Sequence, residues 1–419
     1  MKKISKTTYN NIIWCLTVLL LLSFAIFNQY TWGSLVMFSI IGLILVCMLI
    51  CDKGKISLEF SKFYLYIIVF ALFCMASSLW AKDKFVAIEK GITVFSLFIT
   101  YAILFMFYYR FLSVDRLLKA ILWSGYLVVI YSIYSFGIDN IIATFMSGSR
   151  LPNKFTNING LAIVASFSFV IDAYYALYRE IKVRNVLMLP TFIFILATAS
   201  RKALVFVVVG VALLVFIKVA MKNFVKAIAL LLIMILGALA VYNLMGRISI
   251  FSGLVERIDS LIMVVFKHEG GVSGDVWRVA YQEVGIEQFF KTPIWGIGID
   301  NSYLITSPLG RETYLHNNYI ELLACGGLVG FLIYYSIYFY IFYNLFKYKD
   351  GNDSLSIICI VLAILILIMD FGMVTYYDKS NYFYILTLFL HSENVKYKAI
   401  RRKEKSDMPT RNNMVAAFN

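Results

Sequence analysis

The stretch YLHNNYIELLACGGLVGFLIYY, residues 314–335, holds one of only three histidines in a chain of 419 residues. His316 stands where polar chain gives way to a long apolar run. An imidazole takes or gives a proton near neutral pH, so it can serve as a general base or orienting acceptor for a hydroxyl. Asn317 and Asn318 beside it can hydrogen-bond hydroxyl groups. Further along, Gly326 and Gly330 lie four apart, a small-residue spacing that lets helices approach closely. Close packing there would hold the top of the helix, and His316 with it, in one place.

A second set of residues is cationic. Arg201, in ATASRKALVF, stands between two apolar runs. Arg278 lies in DVWRVAYQEVGIEQFF, where Trp277, Ala280, Tyr281 and Val284 fall at i, i+3, i+4 and i+7, which predicts an amphipathic helix with Arg278 in its first turn. The following KTPIWGIG ends that helix with proline and glycine. Arg150 and Lys154 lie in GSRLPNKFTNING, with Asn157 and Asn159 flanking the next apolar run. The planar guanidinium fork gives carboxylates and phosphates two parallel charge-assisted hydrogen bonds. Arginines gathered at a membrane interface therefore suit a lipid-linked phosphate or pyrophosphate. The plainer alternative is that each one snorkels to lipid headgroups.

The elements that must position these groups are membrane spans. The chain is 61% hydrophobic and 15% charged, too apolar for a water-soluble domain. Apolar runs near the 20 residues needed to cross a bilayer recur along its length. They predict an all-α polytopic membrane protein of about twelve transmembrane helices, at about 11–30, 33–51, 63–80, 87–109, 119–137, 159–178, 186–199, 203–221, 224–244, 317–346, 354–374 and 380–395. The first run is longer than a signal-peptide core and reads as a retained span.

Twelve spans put both termini on one side. Placing them in the cytoplasm gathers 24 of the 38 Lys and Arg inside and leaves 14 outside, as the positive-inside rule requires. That alternation accounts for the formal charge of +14 without nucleic acid as a partner. The organisation expected is spans 1–9 over residues 1–244, an extracytoplasmic loop with its amphipathic helix over 245–316, spans 10–12 over 317–395, and a basic cytoplasmic tail over 396–419 that binds anionic membrane lipids. A second long outward segment runs from about 137 to 158.

The six cysteines all lie in or beside apolar runs and form no CxxC pair, which fits buried spectator thiols better than disulfides or zinc. The outer loops carry no DxD pair and no cluster of His, Asp and Glu, so neither metal nor cofactor is expected.

Taken together, these motifs resemble the O-antigen ligase and polymerase superfamily of bacterial membrane glycosyltransferases. Its hallmark, His-[Asn/Ser/Gln]-x9-Gly-x-x-Gly after the large outer loop, is matched by His316, Asn317, Gly327 and Gly330. Its Ser-Arg turn before a span is matched by Ser200 and Arg201. Its loop arginine, followed some fifteen residues later by a Pro-x-x-Gly-x-Gly element, is matched by Arg278 with Pro293, Gly296 and Gly298. The tryptophan usual four residues after that arginine is replaced by Gln282. The family's earlier Phe-x-Asn-x-Asn element is matched by Phe155, Asn157 and Asn159.

The resemblance implies a GT-C-like helical fold in the bacterial inner (plasma) membrane with an extracytoplasmic active site. It implies metal-independent, inverting transfer from an undecaprenyl-pyrophosphate-linked glycan. In that scheme Arg201 and Arg278 grip the pyrophosphate and His316 assists the acceptor hydroxyl, with Arg150, Lys154, Asn157, Asn159, Asn317 and Asn318 as substrate-binding candidates. The acceptor is another lipid-linked glycan for a Wzy-type polymerase of O-antigen or capsule repeat units, or lipid A core for a WaaL-type ligase completing lipopolysaccharide. A flippase and a chain-length regulator are the accompanying proteins implied.

Two other classes compete. A transporter or lipid flippase would place ionisable groups at mid-membrane, and Asp172, Glu321 and Asp370 are its few candidates. A catalytically silent scaffold in a polysaccharide assembly complex is the other.

Overall fold

A computed structural model describes the chain from Lys6 to Asp407, except residues 28–29, 55–59, 112, 148, 153–156, 180–183, 249–250, 252, 254, 257, 260–262, 264–272 and 349–352. Among the described residues every regular element is a helix. In order these are α1 (Lys6–Phe27), α2 (Gly33–Cys51), α3 (Lys62–Ala76), α4 (Lys84–Phe111), α5 (Val114–Phe136), α6 (Ile138–Met146), α7 (Ile158–Tyr178), α8 (Arg184–Ala197), α9 (Arg201–Ala220), α10 (Phe224–Met245), α11 (Ser273–Lys291), α12 (Asn318–Tyr348), α13 (Ser354–Asp370) and α14 (Lys379–Asp407). Each of the twelve expected spans overlies one of these helices. Nine of them are long and apolar enough to cross a membrane. The others are α8, the 17-residue α13 and α14, whose last third is basic.

Length differences have local causes with consequences for the site. α8 has 14 residues and contains Pro190, so it is about 21 Å long against a hydrocarbon core of about 30 Å. In its turn into α9, Thr198, Ala199 and Ser200 are all buried within the protein. At the far end, α14 continues to Asp407 where a basic tail from 396 is expected. No Pro or Gly interrupts it, and Lys396 is tied to Tyr340 Oη at 2.9 Å. The expected loop 137–158 also contains α6, a short helix whose Ile138, Ile142 and Met146 are exposed.

The core of the bundle is built by α12, α13 and α14 against α3, α4, α7 and α9. α10 packs mainly on α9, buries only Ala227 and presents the rest of its apolar surface outward. α11 lies against the start of α12, where Tyr281, Leu315 and Ala324 form a small separate core.

The longest helix is broken on purpose. Within α12, Gly327 has φ 63° and ψ −169°, far from helical. Leu328 N and Val329 N donate to Pro293 O (2.8 Å) and Ile294 O (3.2 Å) rather than to their own preceding turn. In exchange, Ala324 O and Cys325 O accept from Ile297 N (3.1 Å) and Gly298 N (2.9 Å). Loop 293–298 thus replaces one turn's worth of helical hydrogen bonds, giving the Leu328 and Val329 amides and the Ala324 and Cys325 carbonyls partners across the break. Only glycine fits the contact. A Cβ at Gly327 would overlap the Ile294 carbonyl, and one at Gly296 would overlap the backbone of Cys325. Gly330 serves helix approach as expected, since a Cβ there would strike the ring of Phe73 on α3.

The same loop is pinned on its other side. Ile299 N donates to Ser77 Oγ, Asp83 N donates to Asn301 Oδ1 at 2.7 Å, and Lys90 pairs with Asp300 at 3.2 Å while lying 3.9 Å over the Tyr377 ring.

Candidate functional site

Three separate elements bring polar and charged groups to one pocket of about 410 Å³. The α8–α9 turn supplies Arg201 and Lys202, α11 supplies Arg278 and Gln282, and the approach to α12 supplies His316 and Asn317. The floor is Val205, Phe206, Ile368 and Met369, and one wall is the Phe371–Gly372 turn after α13. Pockets of this volume accommodate small ligands or the reacting part of a larger one. The lining contains three cations and no carboxylate. The N-terminal end of α9, where the helix dipole is positive, borders it through Arg201 and Lys202. Electrostatically this is a site for an anion carrying more than one negative charge.

Each group is held by the local fold. Ala199 has φ 47°, a left-handed conformation costing an L-residue about 1–2 kcal/mol, and it turns the chain so that α9 starts with Arg201 inward. Lys202 Nζ donates to the Gly372 carbonyl, and a Cβ at Gly372 would press on the Lys202 stem. α11 begins at Ser273, so Arg278 is in its second turn rather than its first. Gly285 lets α11 sit directly on Leu315 and Ile320, since a Cβ there would overlap both side chains.

His316 is also left-handed, at φ 58°. The conformation is over-determined by its neighbours. Leu315 N donates to Glu321 Oε2 at 2.9 Å, and Ser302 Oγ donates to Glu321 Oε1 at 2.7 Å. Asn317 Oδ1 caps α12 by accepting from Tyr319 N and Ile320 N. The imidazole lies between Tyr314 and Tyr281, with ring centroids 4.2 Å and 6.2 Å away. Burial, then the nearby cations of Arg278 and Lys202, push its pKa down to about 4. At neutral pH the ring is uncharged and has a lone pair available to accept a proton.

Of the residues singled out in the sequence, Arg201, Arg278, His316 and Asn317 line this pocket. Asn318 does not face it. Its side chain is fully buried, donates to Tyr335 Oη (2.9 Å) and Asp370 Oδ2 (3.4 Å), and accepts from Thr375 N and Tyr376 N. These bonds use both donors and both acceptor positions of the amide, joining the start of α12 to Tyr335 further along it, to Asp370 and to the turn that carries Gly372. Arg150 Nη2 donates to Asn159 Oδ1 at 3.0 Å, and Leu151 N donates to Ala197 O, so that segment buttresses the α8–α9 turn without lining the pocket. Asn157 caps α7 and lines a different cavity. Lys154 and Phe155 lie outside the described residues.

Sequence reasoning missed Lys202 and the Gly372 turn, both of which line the pocket. Lys202 was visible as the second cation of SRKA; the Gly372 turn, more than 160 residues downstream, carries no local signal. Of the acids a transporter would enlist, Glu321 and Asp370 are engaged in holding these loops, and Asp172 accepts from the Tyr126 hydroxyl.

Residues 186–335 match the family model Wzy_C, described as O-antigen ligase. The matched stretch runs from within α8 to within α12 and so includes Arg201, Arg278 and His316. No curated protein matches the chain.

Proposed function

Because the chain belongs to the O-antigen ligase/polymerase superfamily, we propose that it transfers glycan from an undecaprenyl-pyrophosphate carrier to an acceptor hydroxyl, and that the reaction takes place in the pocket of Arg201, Lys202, Arg278 and His316. The domain places it among O-antigen ligase/polymerase-type enzymes of a bacterial membrane; the donor, the side of the membrane and the polymerising activity are our reading. The observation that carries it is the convergence of three cations and one uncharged imidazole, from three distant segments, on a single pocket.

The acceptor oxygen attacks the anomeric carbon from the face opposite the carrier, its proton passes to the neutral imidazole of His316, and the carbon–oxygen bond to the diphosphate breaks. The departing electron pair adds negative charge to the diphosphate, and Arg201, Lys202 and Arg278 are fixed where that charge grows. A single displacement inverts the anomeric centre. The cations perform the charge stabilisation that a metal would otherwise supply, so the reaction proceeds without one. The positive-inside distribution supports an extracytoplasmic site with both termini in the cytoplasm.

The test is transfer by the purified full chain in nanodiscs, using lipid-diphosphate-linked repeat units. Arg201→Gln, Arg278→Gln and His316→Ala should each lower transfer by about 100-fold or more, the loss typical of one removed transition-state donor. Lys202→Met should weaken donor binding, read on folded protein because the change also removes the donor to the Gly372 carbonyl. Near-normal product length in Arg201→Gln or Arg278→Gln would refute the assignment.

We place the activity as polymerisation of O-antigen or capsule repeat units. The matched domain's description favours a ligase as the second reading. Deletion separates them: loss of a polymerase leaves single repeat units, whereas loss of a ligase leaves long chains on the carrier and none on lipid A core.

A further inference from the structure

A second cavity, of about 150 Å³, adjoins the reaction pocket and has no part in the mechanism above. Met369 lines both, and the turn that gives Gly372 to the first gives Met373 to the second. The far side is formed by Phe24 of α1, by Asn157 and Gly160 at the start of α7, and by Asp378, Ser380 and Tyr384 at the start of α14. Asn157 is exposed, so the cavity opens at that end.

Its chemistry is the reverse of its neighbour's. The lining has one carboxylate and no cation. Asp378 Oδ1 accepts from Asn381 N at 2.9 Å, capping α14, and among the described residues no cation is within ion-pair distance of it. Burial raises its pKa from the ordinary carboxylate range. A diphosphate is disfavoured by the one carboxylate of the lining, the neighbouring cation Lys379 standing outside it. Hydroxyl groups are favoured, because a carboxylate oxygen accepts hydrogen bonds from them and the amide of Asn157 and hydroxyl of Ser380 can complete the set. Phe24 and Tyr384 supply buried aromatic surface for the C–H face of a ring. The volume equals that of about five waters, the scale of one monosaccharide.

We propose that this cavity is a saccharide subsite: it takes one uncharged sugar residue of the acceptor glycan, whose hydroxyls donate to Asp378 while its ring rests against Phe24 and Tyr384. The assignment rests on the glycosyl-transfer reading. It divides the labour between adjoining pockets, the cationic one for the carrier diphosphate and the anionic one for the neutral acceptor, with the Met369–Met373 segment as the partition.

The test is direct binding. Oligosaccharide repeat unit, released from the producing cell's own surface glycan, is titrated into the purified full chain in nanodiscs. An added Cβ at Gly160 meets nothing nearer than Asn157 Cβ at 4.0 Å, so Gly160→Leu grows into the cavity. Asp378→Asn removes the charge and keeps a good helix cap, so it carries the test should Gly160→Leu fail to fold. Both should weaken Kd at least tenfold, and Gly237→Leu, on the outward face of α10, should leave it unchanged. Absence of binding by the natural chain, or unchanged affinity in either folded variant, overturns the subsite. Transfer from a lipid-diphosphate donor is measured on the same preparation. Transfer with unaltered Kd in the variants sinks the subsite alone, whereas saccharide binding lost in both variants with no transfer by the natural chain sinks the catalytic reading alone.

Discussion

Gly327→Ala tests whether the break in α12 is what seats the loop behind the pocket. The substitution asks a Cβ to occupy the place of the Ile294 carbonyl at a residue with φ 63°. The helix can relieve the clash by closing its own ladder, with Leu328 N returning to Ala324 O and Val329 N to Cys325 O. Four cross-bonds are then broken and two re-formed. Ile297 N and Gly298 N, both on buried residues, lose their acceptors. Each unsatisfied buried donor costs about 1–3 kcal/mol, so the loop is destabilised by about 2–6 kcal/mol. If instead the break is kept, alanine in the left-handed region costs about 1–2 kcal/mol before the overlap is counted. Amide hydrogen exchange of a peptide spanning 292–299 reads the difference directly. A loss of 3 kcal/mol speeds exchange at Ile297 and Gly298 about 150-fold, at tenfold per 1.4 kcal/mol. Gly237→Ala, where an added Cβ meets nothing within 4 Å, is the control and should leave this peptide unchanged. Protection in Gly327→Ala within threefold of the natural chain would refute the view that glycine geometry, rather than the surrounding packing, sets the break.

Two further outcomes follow from the His316 loop. Because burial and the neighbouring cations hold the His316 pKa down to about 4, the imidazole is already neutral at pH 5. The acid limb of kcat/KM, which reports the free enzyme, should therefore lie near pH 4 and not near 6.5, and Arg278→Gln should move it upward in whatever residual activity survives; a limb at 6.5 in the natural chain would show that the ring is not buried as described. The stability effect has the same sign: the native state binds fewer protons than the unfolded chain between about pH 4 and 6.5, so stability falls as pH is lowered through that window. Glu321→Ala, which removes the acceptors of Leu315 N and Ser302 Oγ, should lower kcat tenfold or more with donor KM little changed, since it displaces His316 without touching the cations; an equal rise in KM with kcat intact would place Glu321 elsewhere in the mechanism.

Hydropathy by itself located the helices, because a residue facing hydrocarbon must be apolar whatever its neighbours are, and the twelve runs are marked by that local demand. Motif spacing likewise marked His316, Arg201 and Arg278, each at a junction where polar chain meets an apolar run. What each of these residues touches was decided by tertiary structure alone. Asn317 and Asn318 are adjacent and identical in type, yet one lines the pocket and the other is spent on Asp370, Tyr335 and two backbone amides. Gly326 and Gly330 suggested close helix approach and Gly327 entered only as a motif position, yet Gly327 is what lets a loop more than twenty-five residues upstream take over a turn's hydrogen bonds. Lys202, the Gly372 carbonyl and Glu321 acquire their places through contacts with segments far away in the chain or across a turn, and hydrogen-bond geometry of that kind leaves no periodicity in a sequence for a reader to find.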